Sequence, residues 1–149
     1  MTFRPFNPSY TWQDVPRLAY KEEGAAPFRA ITRQVLFSQP DLACEWRYFE
    51  MAPGGYSTLE RHGHAHAVMI LRGRGHALVG TEVRAVAPFD LVSIAGWTWH
   101  QFRATAGETL GFLCMVNAER DRPQLPDAGD LAMLRADRVI AAFLDGEME

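Results

Sequence analysis

The chain has 149 residues, 48% of them hydrophobic, which is enough to bury a core in a single domain spanning residues 1–149. Its formal net charge of −3 and the absence of any Lys/Arg-rich run argue against a nucleic-acid partner. No apolar run reaches the ~18 residues that span a bilayer, residues 1–10 lack an apolar signal core, and Cys44 and Cys114 both lie in apolar runs, as expected of buried thiols; a cytoplasmic protein with no membrane partner is the expectation.

Along the chain, Pro5, Pro8 and Pro16 break any long helix, and Lys21-Glu22-Glu23-Gly24 reads as a solvated turn. Residues 28–37 alternate as a strand and close on Ser38-Gln39-Pro40-Asp41. Residues 44–51 alternate again, with Arg47 and Tyr48 on opposite faces, so that at most one of them points inward. Pro53-Gly54-Gly55 then predicts a tight turn.

Next comes Glu60-Arg61-His62-Gly63-His64-Ala65-His66, running into an apolar stretch that ends at Gly73 and Gly75. In one extended strand the three histidines project the same way, about 6.5–7 Å apart. Imidazole is the commonest metal ligand. Two rings tilt onto one ion from alternate positions, and a third joins them if the chain bends after His64. By the same alternation Glu60 shares the face of His62, where it reads as a surface residue at the strand's start.

Short strands are expected over 76–79 and 83–86, with His76 turned to solvent beside Arg74. Pro88-Phe89-Asp90 leads into a strand over 91–94, and further strands are expected over 99–103 and 110–116, with Trp97 and Trp99 as packing residues. Many short strands with frequent turn signals predict an all-β sandwich or barrel, its core at about 28–117. After a polar connector containing Pro123 and Pro126, Asp130 is expected to cap one helix over about 130–145. Its apolar stripe carries Met133, Ala136, Ile140, Phe143 and Leu144, and Gly146 ends it.

Pro53-Gly54-Gly55, the His62-x-His64 pair, the hydrophobic strand to Gly73, and a second segment with Asp90 and His100 together resemble the cupin superfamily over roughly residues 45 to 117. The resemblance implies an antiparallel jelly-roll barrel with a short C-terminal helix, holding one metal ion inside. His62 and His64 match the family's paired histidines and Gly73 its closing glycine. His66 stands where the family usually carries Glu, and Phe89, Ala95, Trp97 and Ala104 stand where it has Gly, Pro, Gly and Asn.

The implied metal ligands are His62, His64, His66 and His100, and the implied cofactor is one divalent transition metal ion: Fe, Mn, Ni, Cu or Zn. With the usual Glu missing, a carboxylate general base is available only if Glu60 or another residue fills in. The functions implied are a mononuclear dioxygenase or isomerase acting on a small organic acid or aromatic compound, a non-catalytic metal-dependent binding or sensing module, or a structural domain. Val68, Ile70, Leu91 and Phe112 are expected to line the cavity for a small-molecule ligand. A homodimer is expected from the resemblance and from an exposed helical stripe of Met133, Ile140 and Phe143.

Overall fold

The structure, a computed structural model, describes residues 3–148. A two-stranded ribbon of β1 (Phe6–Asn7) and β2 (Thr11–Trp12) precedes the main sheet. The main sheet contains β3 (Leu18–Ala19), β4 (Arg29–Gln39), β5 (Leu42–Tyr56), β6 (His66–Arg72), β7 (Gly75–Val79), β8 (Glu82–Val86), β9 (Leu91–Ile94), β10 (His100–Ala104) and β11 (Leu110–Asn117). All pairings are antiparallel, in the order β8-β7-β10-β5-β11-β6-β9, with β4 also on β5 and β3 on β4. The sheet curls into the jelly-roll barrel expected from the sequence.

β5 joins the two halves of the curl. Its first part pairs with β11 from Cys44 to Met51, while Tyr56 pairs with Arg103 of β10. The tight turn expected at Pro53-Gly54-Gly55 is instead a bend inside this one strand. Gly54 takes φ +69°, and a Cβ on Gly55 would sit 2.8 Å from the Ala52 carbonyl oxygen and 2.9 Å from that of Arg29. The glycines let the strand change direction without ending.

Strand alternation sorts the side chains. Ile31, Phe49, Met51, Val68, Ile70, Phe102, Leu110, Phe112, Cys114 and Val116 belong to one buried cluster on the concave face. Phe112 carries its centre, with ring centroids 5.4 Å from Phe49 and 4.8 Å from Phe102. Arg47 takes the inward phase and Tyr48 the outward one, where Tyr48 packs on Tyr10 and Trp12. Leu91 departs from expectation. Val92 and Ile94 hold the inward side of β9, and Leu91 is 63% exposed on the outside.

The C-terminal segment forms two helices, α1 (Ala128–Arg135) and α2 (Arg138–Asp145), where one was expected. Asp127, not Asp130, is the first cap. Its side chain accepts from the Asp130 N–H, and the Asp130 carboxylate accepts from the Asp127 N–H in a reciprocal capping box. Asp137 restarts the helix by accepting from the N–H groups of Val139 and Ile140. The stripe is not free either. Ile140, Phe143 and Leu134 are buried with Leu59, Leu78 and Trp99 in a second cluster, leaving Met133 exposed.

Candidate metal centre

His62, His66 and His100 each offer a ring nitrogen, and these atoms lie within 4.8 Å of one another. They arrive from three different places. His100 opens β10, and paired hydrogen bonds between Glu60 and His100 (3.2 and 3.0 Å) bring the segment carrying His62 alongside. His66 opens β6, paired with Val116 and Ile94.

The single histidine strand expected from alternation is not formed. Between His62 and His66 the chain bends, because Asp121 accepts from the backbone N–H of Gly63 at 2.6 Å and of His64 at 3.2 Å. Those bonds compete with any sheet partner for the same donors. His64 thereby stacks its ring on His62 at 3.7 Å and gives Nδ1–H to Asp121 at 2.6 Å, but with its ring 6.5 Å from that of His66 it stands outside the converging group of three.

The tautomers follow from the hydrogen bonds. Nδ1 of His62 faces the His64 carbonyl at 2.8 Å, and Nδ1 of His100 faces the Thr98 carbonyl at 2.9 Å. A carbonyl only accepts, so both Nδ1 atoms carry the proton and both Nε2 lone pairs are free. His66 has Nδ1 3.4 Å from the Cys114 sulfur, and its Nε2 is buried with no partner. An orphaned buried imidazole nitrogen beside two free lone pairs is what a metal ion satisfies. Nitrogens bonded at about 2.0–2.1 Å are at most about 4.2 Å apart, so small side-chain shifts close the set.

Burial keeps the rings in the ligand form. It pushes His66 down to about 2 and His100 down to about 4, with neighbouring imidazoles adding to the effect, and it lowers His62 as well. The Gly63 N–H and then His64 hold the Asp121 carboxyl well below the usual range, so it is ionised opposite the His64 ring. A carboxylate on the far nitrogen of an imidazole is the usual second support of a metal-binding histidine.

The imidazoles line a cavity of about 230 Å³ together with Tyr20, Lys21, Arg33, Arg47, Thr58, Glu60 and Cys114 among others. Glu60, expected at the surface, is buried and ion-paired with Lys21. His76 is also buried, not turned to solvent. Trp99 packs under the helices, whereas Trp97 is 55% exposed at φ +62°. Of the two thiols, Cys114 is buried in the cavity wall and Cys44 lies outside the lining.

Sequence reasoning gave no role to Asp121, Arg33 or Cys114. Arg33 carried a usable signal, as a cation between Ile31 and Val35 on one strand face.

A cupin domain family model matches residues 47–116. The 1-methylthio-D-xylulose 5-phosphate methylsulfurylase of Rhodospirillum rubrum is 72% identical over 144 residues, covering 97% of this chain and 92% of that one. A crystal structure of a cupin-2 domain protein from Rhodospirillum rubrum superposes with a TM-score of 0.88 at 71% identity, covering 97% of each chain. A cupin 2 conserved barrel domain protein from Rhodopseudomonas palustris gives a TM-score of 0.89 at 58% identity, covering 95% of this chain and 98% of that one.

Proposed function

The chain belongs to the cupin family, and from that premise we propose that it is a metal-dependent enzyme cleaving the carbon–sulfur bond of a phosphorylated methylthio-ketose, of the 1-methylthio-D-xylulose 5-phosphate type. The observation that carries this is the 72% identity to the methylsulfurylase, extending over nearly the whole of both chains. On this reading the substrate is a phosphorylated thioketose rather than a small organic acid or aromatic compound, and the chemistry is carbon–sulfur cleavage rather than oxygen activation.

His62, His66 and His100 hold the divalent transition metal through Nε2. His64, stacked on His62 and backed by Asp121, would join them as the fourth ligand after a side-chain shift. Such an ion, bound beside a ketone oxygen, supplies Lewis-acid polarisation. The protein supplies the sulfur acceptor. Cys114 is the thiol of the cavity, with its sulfur 3.4 Å from His66 Nδ1 and 3.8 Å from Arg47 Nη2.

Burial pushes this thiol up, and the Arg47 guanidinium opposes that rise. As the thiolate, Cys114 attacks the methylthio sulfur and forms an S–S bond. The sulfur–C1 bond breaks, and its electron pair passes into the C1–C2 enolate, which takes a proton at C1. Cys114 is oxidised to a methyl disulfide and the sugar carbon is reduced. A second, small thiolate then attacks the methylthio sulfur, the S–S bond to Cys114 breaks with its electron pair returning to Cys114, and the methylthio group leaves as the mixed disulfide of the small thiol.

The test is turnover of 1-methylthio-D-xylulose 5-phosphate by metal-loaded protein with a small thiol present, followed by NMR of the sugar phosphate. Loss of the methylthio group is expected. Without the second thiol, a methylthio adduct on Cys114 is expected by mass spectrometry, and Cys114→Ser forms neither product while keeping its metal. Failure of the metal-loaded wild type to consume this substrate overturns the proposal.

A further inference from the structure

Four cationic side chains line the cavity: Lys21, Arg33, Arg47 and Arg120. Three of them have carboxylates. Lys21 pairs with Glu60, while Arg47 and Arg120 share Glu45 at 3.5 and 3.4 Å. Arg33 has no carboxylate within ion-pair distance among the described residues, and its Nε is buried without a hydrogen-bond partner. Arg47 Nε is likewise without a hydrogen-bond partner, its contact with Glu45 being an ion pair of poor hydrogen-bond geometry. Two guanidinium groups with unsatisfied donors on one cavity wall call for an anion.

The register shows how they relate to the reacting groups. Arg33 lies opposite Phe49, and Arg47, two residues before Phe49, lies opposite Cys114 on the other side. Cys114 in turn lies opposite Val68, two residues after His66. Along this path across the concave face the order is therefore Arg33, Arg47, Cys114, His66. Three strand spacings separate β4 from β6, about 14 Å measured along the sheet. The curl makes the direct path across the cavity shorter.

We propose that Arg33, with Arg47, is the seat of the substrate's phosphate monoester, holding the far end of the sugar so that its methylthio end meets Cys114 and the imidazoles. This rests on the phosphorylated-ketose reading above. A planar guanidinium fork fits phosphate oxygens two at a time, and the dianion satisfies the orphaned donors. Arg33 is then a specificity-determining residue that binds a part of the substrate remote from the bond that breaks. Its interaction is the same in ground state and transition state, so it acts on KM more than on kcat.

The experiment compares metal-loaded wild type, Arg33→Met and Arg33→Lys on the phosphorylated thioketose and on the same sugar without its phosphate. For the phosphorylated substrate, KM is expected to rise at least about tenfold in Arg33→Met with kcat changed little, and to recover partly in Arg33→Lys. On the unphosphorylated sugar, wild type and variants should perform alike. Orthophosphate should raise the melting temperature of the wild type and not that of Arg33→Met, with metal content equal in all three.

An unchanged KM in Arg33→Met, with active wild type, overturns the phosphate seat and leaves the proposed reaction standing. Arg33-dependent orthophosphate binding in a wild type that does not turn over the thioketose upholds the seat and sinks the reaction. Equal loss by Arg33→Met on phosphorylated and unphosphorylated sugars also overturns the seat, because it marks a general structural role.

Discussion

Asp121 is the residue on which the arrangement of the histidines turns. It comes from the connector after β11, yet it accepts from the backbone of Gly63 and His64 and from the His64 ring, 57 residues away. Asp121→Asn keeps the shape of the side chain and removes its charge. Metal affinity is expected to fall about 10–100-fold, as is usual when the carboxylate behind a ligating histidine is lost. Competition with a chromophoric chelator measures this, and an unchanged affinity would show that His64 is not a ligand. Alternate histidines ahead of an apolar strand are few and chemically distinctive, so the sequence singles out His62, His66 and His100, which the fold brings together, along with His64, which lies outside that group. Asp121 is not singled out, since a carboxylate in a polar connector looks the same whether it is solvated or drawn back onto a distant backbone. The same blindness to distant partners made Glu60 read as a surface residue, whereas it is buried and ion-paired with Lys21.

Among the elements, the strands were readable and their phases less so. β4 and β11 fall close to their expected positions, since alternation over a long strand leaves little freedom, whereas β5 runs on through Pro53-Gly54-Gly55 and β6 begins only at His66. β9 has four residues, too few for alternation to distinguish Leu91 from Val92 as the inward side chain. The helix pair shows a similar limit. The 3.6-residue stripe correctly marked Ile140 and Phe143 as one face, but a stripe alone does not say whether that face is covered by this chain or by another. Here α2 lays it against the second cluster, and Arg103 of β10 donates to the Leu144 carbonyl at 2.6 Å while stacking over the Phe143 ring. Phe143 is fully buried, so Phe143→Ala is expected to cost about 3–5 kcal/mol of stability. Thermal or urea unfolding reads this directly. A loss below about 1 kcal/mol would mean that the helix pair docks only loosely on the barrel.

At the scale of the whole molecule, the expected homodimer needs a different surface from the helical stripe, because Ile140 and Phe143 are already covered. The convex side of the sheet offers one. Trp46 of β5 lies opposite Met115 of β11, and Met69 of β6 lies opposite Leu91 of β9. Met69 also pairs with Leu113, two residues before Met115, so the four side chains share one outward face. They are 43%, 45%, 38% and 63% exposed respectively, and large apolar side chains grouped in this way mark association surfaces more often than free ones. A stable pair buries about 800 Å² on each partner. The predicted outcome is a dimer mass in size-exclusion chromatography with light scattering, converted to a monomer by Met115→Glu. A monomeric wild type rules the pairing out. The two faces of the sheet also make a second readout available. Met115 points away from the cavity while Cys114, its neighbour in sequence, lines it. If pairing and chemistry are separate, Met115→Glu should change the mass and leave the metal content as it was. Loss of metal together with the dimer would instead show that pairing the convex faces holds the curl of the sheet, and with it the distance between His66 and His100.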